Sequence, residues 1–231
     1  MGVLRRFITE PKPMDLESAS DKIVTPATFF TALRPPLALK AAQMLLAGDR
    51  YVTPVVLTMA ATDMEGSVAR LTDKLFPKAG RGATRFGIAA DKYADTAAIL
   101  CVAGATLRAP RVATVAKAAV AVALGQEGTK IAWALNSGIK YKAATGENLD
   151  FPPSLIGKES MAEKFVAVAA AAATNDTDSR LARAGLCAVA ASFAGSGVLH
   201  GEQARRQYDE FFQELMDEAA LPEASRTEPL Y

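Results

Sequence analysis

Alanine-rich apolar segments follow one another along the chain, separated by short polar, glycine- or proline-bearing breaks. Alanine is the best helix former, and clusters of the β-branched and aromatic residues that favour pleated structure are few, so the pattern predicts helix throughout. Helices are expected over residues 28–47, with a break at Pro35-Pro36, and over 54–71, 84–107, 112–123, 129–142, 162–174 and 179–220. Residues 48–50, 78–82, 125–128, 146–153 and 175–178 supply the turn chemistry between them. From Leu221 onward the chain is polar and proline-bearing, the composition of a loose terminus. No internal repeat is visible.

One uncharged stretch, residues 184–201, lies between Arg183 and Glu202 and has about the length that crosses a bilayer. The apolar runs at 51–62, 96–107 and 165–175 are shorter. Hydropathy alone therefore fits a soluble all-helical domain and a membrane bundle equally well. Past His200 the last helix changes character, with Tyr208, Phe211, Phe212 and Leu215 on one side of a highly charged segment. That amphipathic pattern suits a membrane surface, a partner or an ordinary soluble surface helix. His200, the one histidine, reads as a boundary residue rather than a catalyst, because no serine or cysteine nucleophile motif accompanies it.

At 231 residues the chain suits one domain or one helical bundle. Lysine and arginine number 26 against 25 aspartates and glutamates, so there is no net field to draw nucleic acid, and none is expected as a partner. Cys101 and Cys187 sit in apolar stretches without the spacing of a thiol metal site and read as packing residues. The first 21 residues form a polar segment with two early arginines and no apolar run of signal-peptide length.

Two short blocks carry candidate chemistry. The first is Glu65-Gly66-Ser67-Val68-Ala69-Arg70, with Asp63 just upstream. The second places Gly87, Asp91 and Asp95 at i, i+4 and i+8, one face of a helix, where two carboxylates and a side-chain-free gap stack on one another. Such a face can hold a hard divalent cation.

Together the blocks resemble the signature of the CDP-alcohol phosphatidyltransferases, which runs DxxDG, two residues, AR, a spacer, then GxxxDxxxD. The likeness is greatest to the bacterial phosphatidylglycerophosphate synthases. Thr25-Pro26 through Leu33-Arg34, Leu45 through Tyr51, and Ala60 through Asp63 look like their first two transmembrane segments. Ser154-Leu155-Ile156-Gly157-Lys158 is similar to a short loop before their fifth helix. The resemblance covers residues 22–205, leaving 1–21 as a polar segment and 206–231 as an amphipathic helix and tail.

The resemblance implies an all-α, polytopic bundle of about six transmembrane helices in the cytoplasmic membrane, its active site facing the cytoplasm. It implies transfer of a phosphatidyl group from CDP-diacylglycerol to an alcohol, glycerol 3-phosphate foremost, with release of CMP, and it leaves room for a homodimer. In the family four acids hold a two-metal site; carried over, these are Asp63, Glu65, Asp91 and Asp95, with Asp95 the base for the acceptor hydroxyl. Gly66, Ala69, Arg70 and Gly87 would contact CDP, and Lys158 the acceptor's phosphate. Mg²⁺ or Mn²⁺ suits such a set, because hard cations prefer oxygen ligands. Bound there they would neutralise the pyrophosphate and the departing CMP.

The sequence departs from the family pattern in two places. Counting back from Gly66 puts Glu65 at the second acid and Thr62 at the first, so Asp63 fits only with one residue deleted. On an ideal helix Asp63 and Glu65 point about 200° apart, which no single cluster accommodates without distortion. The spacer from Arg70 to Gly87 is sixteen residues, about twice the family's, and carries Lys74, Lys78, Arg81 and Arg85. Two further readings stay open: a degenerate, non-catalytic member that binds lipid or a partner, and a soluble helical binding module.

Overall fold

The computed structural model describes residues 26–61, 85–149 and 154–220, and these form six helices with no strand among them. They are α1 (Pro26–Ala47), α2 (Val52–Ala61), α3 (Arg85–Arg108), α4 (Thr114–Thr145), α5 (Leu155–Ala173) and α6 (Arg180–Ala220). The all-α expectation holds, and the helices at 84–107 and 179–220 lie within a residue of where the pattern put them.

Three expected breaks are absent. α1 runs unbroken through Pro35 and Pro36. Proline already has a helical φ, so the loss is confined to two amide donors and the space at the carbonyls four residues back. Packing carries the helix across the gap, since Arg34, Ala38, Ala41, Ala42 and Leu45 form one buried stripe at helical spacing. α4 likewise continues through Gly125 and Gly128, where a turn was expected. Glycine there costs about 1 kcal/mol each against alanine, and buried Ala123 and Glu127 pin the segment to its neighbours. Ser154-Leu155-Ile156-Gly157-Lys158, expected as a loop, is the cap and first turn of α5, with the Ser154 hydroxyl accepting the Gly157 N–H at 3.0 Å.

At one pole the three short connections are tied into a polar knot. Asp176 accepts the amide hydrogens of Val52 (3.2 Å) and Thr53 (2.8 Å) and the Thr53 hydroxyl (2.6 Å), capping α2. The third helical residue is Pro54, which has no amide hydrogen to satisfy. Asp178 takes the guanidinium groups of Arg50 and Arg111, while Arg111 Nε donates to the Asn175 carbonyl at 3.2 Å. Arg183 donates to the Arg111 carbonyl, and the Ala113 amide to the Thr174 hydroxyl at 3.1 Å. Thus α1, α3 and α5 end at this pole and α2, α4 and α6 begin there, an up-and-down alternation. At the far pole the Ser154 amide donates to the Tyr208 hydroxyl at 3.0 Å and the Trp133 indole to Asp209 at 3.1 Å.

The amphipathic end of α6 therefore packs on its own bundle, with Phe212 buried. Cys101 and Cys187 are free thiols packed against the core, as the sequence suggests.

Side-chain size is sorted in an unusual direction. Alanine supplies most of the buried core, from Ala38 and Ala41 on α1 to Ala190 and Ala194 on α6. Large apolar side chains face outward instead, among them Leu57, Val115, Leu135, Ile139, Leu181 and Leu199. Among the described residues one helix, α6, is long and apolar enough to cross a membrane, and most of its apolar stretch faces outward.

Where α6 leaves that stretch, Glu202 receives a two-pronged contact from Arg205 (2.8 and 2.6 Å) and one from Arg206 (3.3 Å). Hydrogen bonds from Arg205, then from Arg206, hold the Glu202 carboxyl down at about 2, against an ordinary 4.5. A depressed carboxyl stabilises the fold above its unfolded value and loses that contribution as pH falls through the folded one. Glu202→Gln should therefore melt slightly below wild type at pH 7, with the gap closing between about pH 4.5 and 2; a pH-independent gap in melting temperature would refute the linkage.

Candidate functional site

α3 carries Gly87, Asp91 and Asp95 on successive turns of one continuous helix, so the spacing read from sequence is realised in the backbone. Asp95 is the member whose side-chain surroundings are described. Its Oδ1 accepts a hydrogen bond from Nη1 of Arg34 on α1, forming an ion pair across the α1–α3 contact. The Arg34 side chain is fully buried, whereas that of Asp95 keeps 21% of its surface exposed. A guanidinium without solvent requires such a partner, because an uncompensated buried charge is far costlier than a paired one.

Asp63, Glu65, Gly66, Ala69 and Arg70 lie outside the described residues. Lys158 is exposed in the first turn of α5, its amide donating to the Ser154 carbonyl at 3.1 Å. In the sequence Arg34 belongs to the family resemblance but has no role there. The signal that could have marked it is a full charge at helical register with Ala38, Ala41 and Leu45, hence on the face that must be buried.

A second polar centre, unforeseen from sequence, joins α4, α5 and α6. Lys164 on α5 is buried and donates to the carboxylate of Glu127 and the side-chain oxygen of Gln126, both on α4. Lys130 adds a contact to Glu127 at 3.1 Å. Beside it, Glu163 accepts from the Ser196 hydroxyl at 2.7 Å and pairs with His200 Nδ1 at 2.8 Å. Ser160 donates to the Gly197 carbonyl at 2.7 Å. Two glycines on α6 make room for this: a Cβ at Gly197 would meet Lys164 Cγ at 2.9 Å, and one at Gly201 would meet the Gln126 amide at 2.5 Å.

His200 thus lies inside an unbroken helix, where its apolar stretch gives way to the charged segment, and is bonded to an acid. Its serine neighbour hydrogen-bonds to the glutamate rather than to the imidazole, so the group lacks the base-to-nucleophile contact of a hydrolytic triad.

The described residues hold no convergent set of three or more histidine, cysteine, aspartate or glutamate side chains. Asp91 and Asp95 alone suit a hard divalent ion in donor chemistry and helical spacing, and supply two of the four acids that the resemblance requires. The observed engagement of Asp95 by Arg34 is the feature that any such ion would have to contend with. No family model, curated protein or solved structure matches the chain.

Proposed function

We propose that the chain is a polytopic membrane protein that transfers a phosphatidyl group from CDP-diacylglycerol to a phosphorylated polyol, glycerol 3-phosphate foremost, releasing CMP. The observation that carries this reading is the α3 face, with Gly87, Asp91 and Asp95 on consecutive turns and Asp95 seated at a helix–helix contact within the bundle. Ionisable groups so placed in an apolar bundle are costly and mark function.

The sorting of side chains supports the membrane part. Small residues inside and large apolar ones outside suit lipid, where helices gain nothing by hiding leucine and associate through close packing. α1, α3, α4, α5 and α6 have 22, 24, 32, 19 and 41 residues. At 1.5 Å per residue the shortest of these is about 28 Å long, against a hydrocarbon core of roughly 30 Å. Lys140, Lys142, Lys158, Arg205 and Arg206 lie toward the pole away from the knot, while Arg50, Arg108, Arg111, Arg180 and Arg183 lie toward the knot.

In this reading Asp95 accepts the proton of the acceptor hydroxyl. The acceptor oxygen then bonds to the phosphorus of the phosphatidyl group as the bridging P–O bond to CMP breaks. Asp91 and Asp95 would hold Mg²⁺ or Mn²⁺, which supplies charge neutralisation at the pyrophosphate. Gly87 leaves room for the nucleotide beside α3, and Arg70 offers a planar fork for a phosphate. Lys158, exposed at the mouth of α5, is the candidate for the acceptor's phosphate.

The Arg34–Asp95 pair also favours a second reading, a family fold that binds CDP-lipid without turning it over, since a neutralised carboxylate is a poorer base and ligand. Expression without detergent decides the membrane part: the protein is expected in the membrane fraction, resistant to carbonate washing. Recovery in the soluble fraction would refute it and leave the helical binding module. CMP release by purified protein given CDP-diacylglycerol, Mn²⁺ and glycerol 3-phosphate supports the transferase; nucleotide binding without CMP release supports the second reading.

A further inference from the structure

Asp95 is asked by the proposed chemistry to serve a divalent cation, yet in the structure it already serves a cation of the protein's own. The Arg34 guanidinium is fully buried and hydrogen-bonded through Nη1 to Asp95 Oδ1. A divalent ion on the same carboxylate would sit within a few ångströms of that guanidinium, away from bulk water, where repulsion between like charges is weakly screened. The two occupants are therefore antagonists.

The turn that carries Arg34 also lacks two of the backbone hydrogen bonds of α1. Pro35 and Pro36 follow it directly and remove two successive backbone donors from the helix ladder. A turn short of two hydrogen bonds can let the guanidinium withdraw without unwinding the rest of the helix, whose buried stripe continues at Ala38, Ala41 and Ala42.

We infer that Arg34 is the resident counter-ion of Asp95, occupying the carboxylate before a divalent cation arrives, so that metal loading at Asp95 is an exchange of guanidinium for metal. Arg34 is in this sense a positioning residue and an internal brake on metal binding. It holds Asp95 oriented while the site is vacant of substrate, and it sets a threshold of divalent ion below which the site stays closed. This rests on the phosphatidyl-transfer reading, because that reading makes Asp95 a metal ligand.

The test is Mn²⁺ binding to the full-length protein in detergent, followed by the loss of the free-ion electron paramagnetic resonance signal and independent of turnover. Arg34→Gln removes the competing charge and should tighten Mn²⁺ binding by about tenfold or more, the size of effect that one adjacent full charge commonly has on a carboxylate. Arg34→Lys keeps a cation and should bind close to wild type. The gain in Arg34→Gln should vanish when Asp95→Asn is added. Unchanged or weaker Mn²⁺ binding in a folded Arg34→Gln protein, judged by its helical circular dichroism, overturns the inference.

Should Arg34→Gln fail to fold, the wild type still decides. With ¹⁵N-labelled arginine, the Arg34 Nε–H resonance, assigned through Arg34→Lys, must move on saturation with Mg²⁺, and a resonance that stays in place overturns the exchange. Mn²⁺ binding that survives Asp95→Asn undiminished, or is absent from the wild type, overturns the metal-site reading together with this inference. Mn²⁺ binding lost in Asp95→Asn but indifferent to Arg34→Gln removes the exchange alone.

Discussion

Asp95→Asn is expected to lower CMP release by about a thousandfold or more, the combined scale of losing a general base and a metal ligand. It is also expected to weaken the fold, because the buried Arg34 would lose its ion pair with the Asp95 carboxylate. Removing one partner of a buried pair costs about 3–5 kcal/mol, and the partial exposure of Asp95 places this case near the lower figure. The two losses can be separated with the double variant Arg34→Met/Asp95→Asn. It takes away both charges and should recover most of the thermal stability in detergent while recovering none of the activity. If Asp95→Asn releases CMP at the wild-type rate, Asp95 is neither base nor ligand and the proposed mechanism fails. If its stability equals that of the wild type, the ion pair contributes nothing to the fold.

The second large effect lies at the α4–α5 contact. Glu127→Ala would strip Lys164 of its bonded carboxylate, leaving a buried ammonium with the Gln126 oxygen, the more distant attraction of Glu163, and Lys130 close by as a like charge. A loss of about 3–5 kcal/mol is expected, again because an unpaired buried charge is the costly species. Glu127→Leu combined with Lys164→Met replaces the pair with apolar groups of similar volume and should restore most of it, since buried ion pairs are often matched by well-packed hydrocarbon. The readout is unfolding in detergent followed by circular dichroism, across the two single variants and the double. Single variants within about 0.5 kcal/mol of wild type, the range of ordinary surface changes, would mean that water reaches Lys164 and that the centre is not closed.

Local chemistry made the helices legible. Alanine content and the turn residues at 48–50, 146–153 and 175–178 were enough to place most of the boundaries, because propensity and turn chemistry act within a few residues of each other. In α1 and α4 tertiary contacts overrule a local rule. The proline pair and the Gly125–Gly128 segment are breakers in isolation, and both sit in helices whose flanks are buried against neighbours. The i, i+4, i+8 spacing of Gly87, Asp91 and Asp95 was also readable, because it needs only a helix.

The charged partners were not readable. Arg34 meets Asp95 across 61 residues and Lys164 meets Glu127 across 37, and no periodicity links positions so far apart. The half of the signature around Asp63, Glu65 and Arg70 rests on sequence alone, since those residues lie outside the described ones.

The cap on α2 has a consequence for how the chain is made. Its first two amide hydrogens are satisfied by Asp176, as much as 124 residues downstream. At roughly 5–20 residues per second, synthesis reaches that aspartate roughly 6–25 s after α2 itself has emerged. During that interval the start of α2 must rely on water or on whatever surrounds the nascent chain. The first three helices can pair, but their shared pole stays unfastened until the α5–α6 turn arrives. Fastening of that pole is therefore timed by the synthesis of the turn that follows the fifth helix.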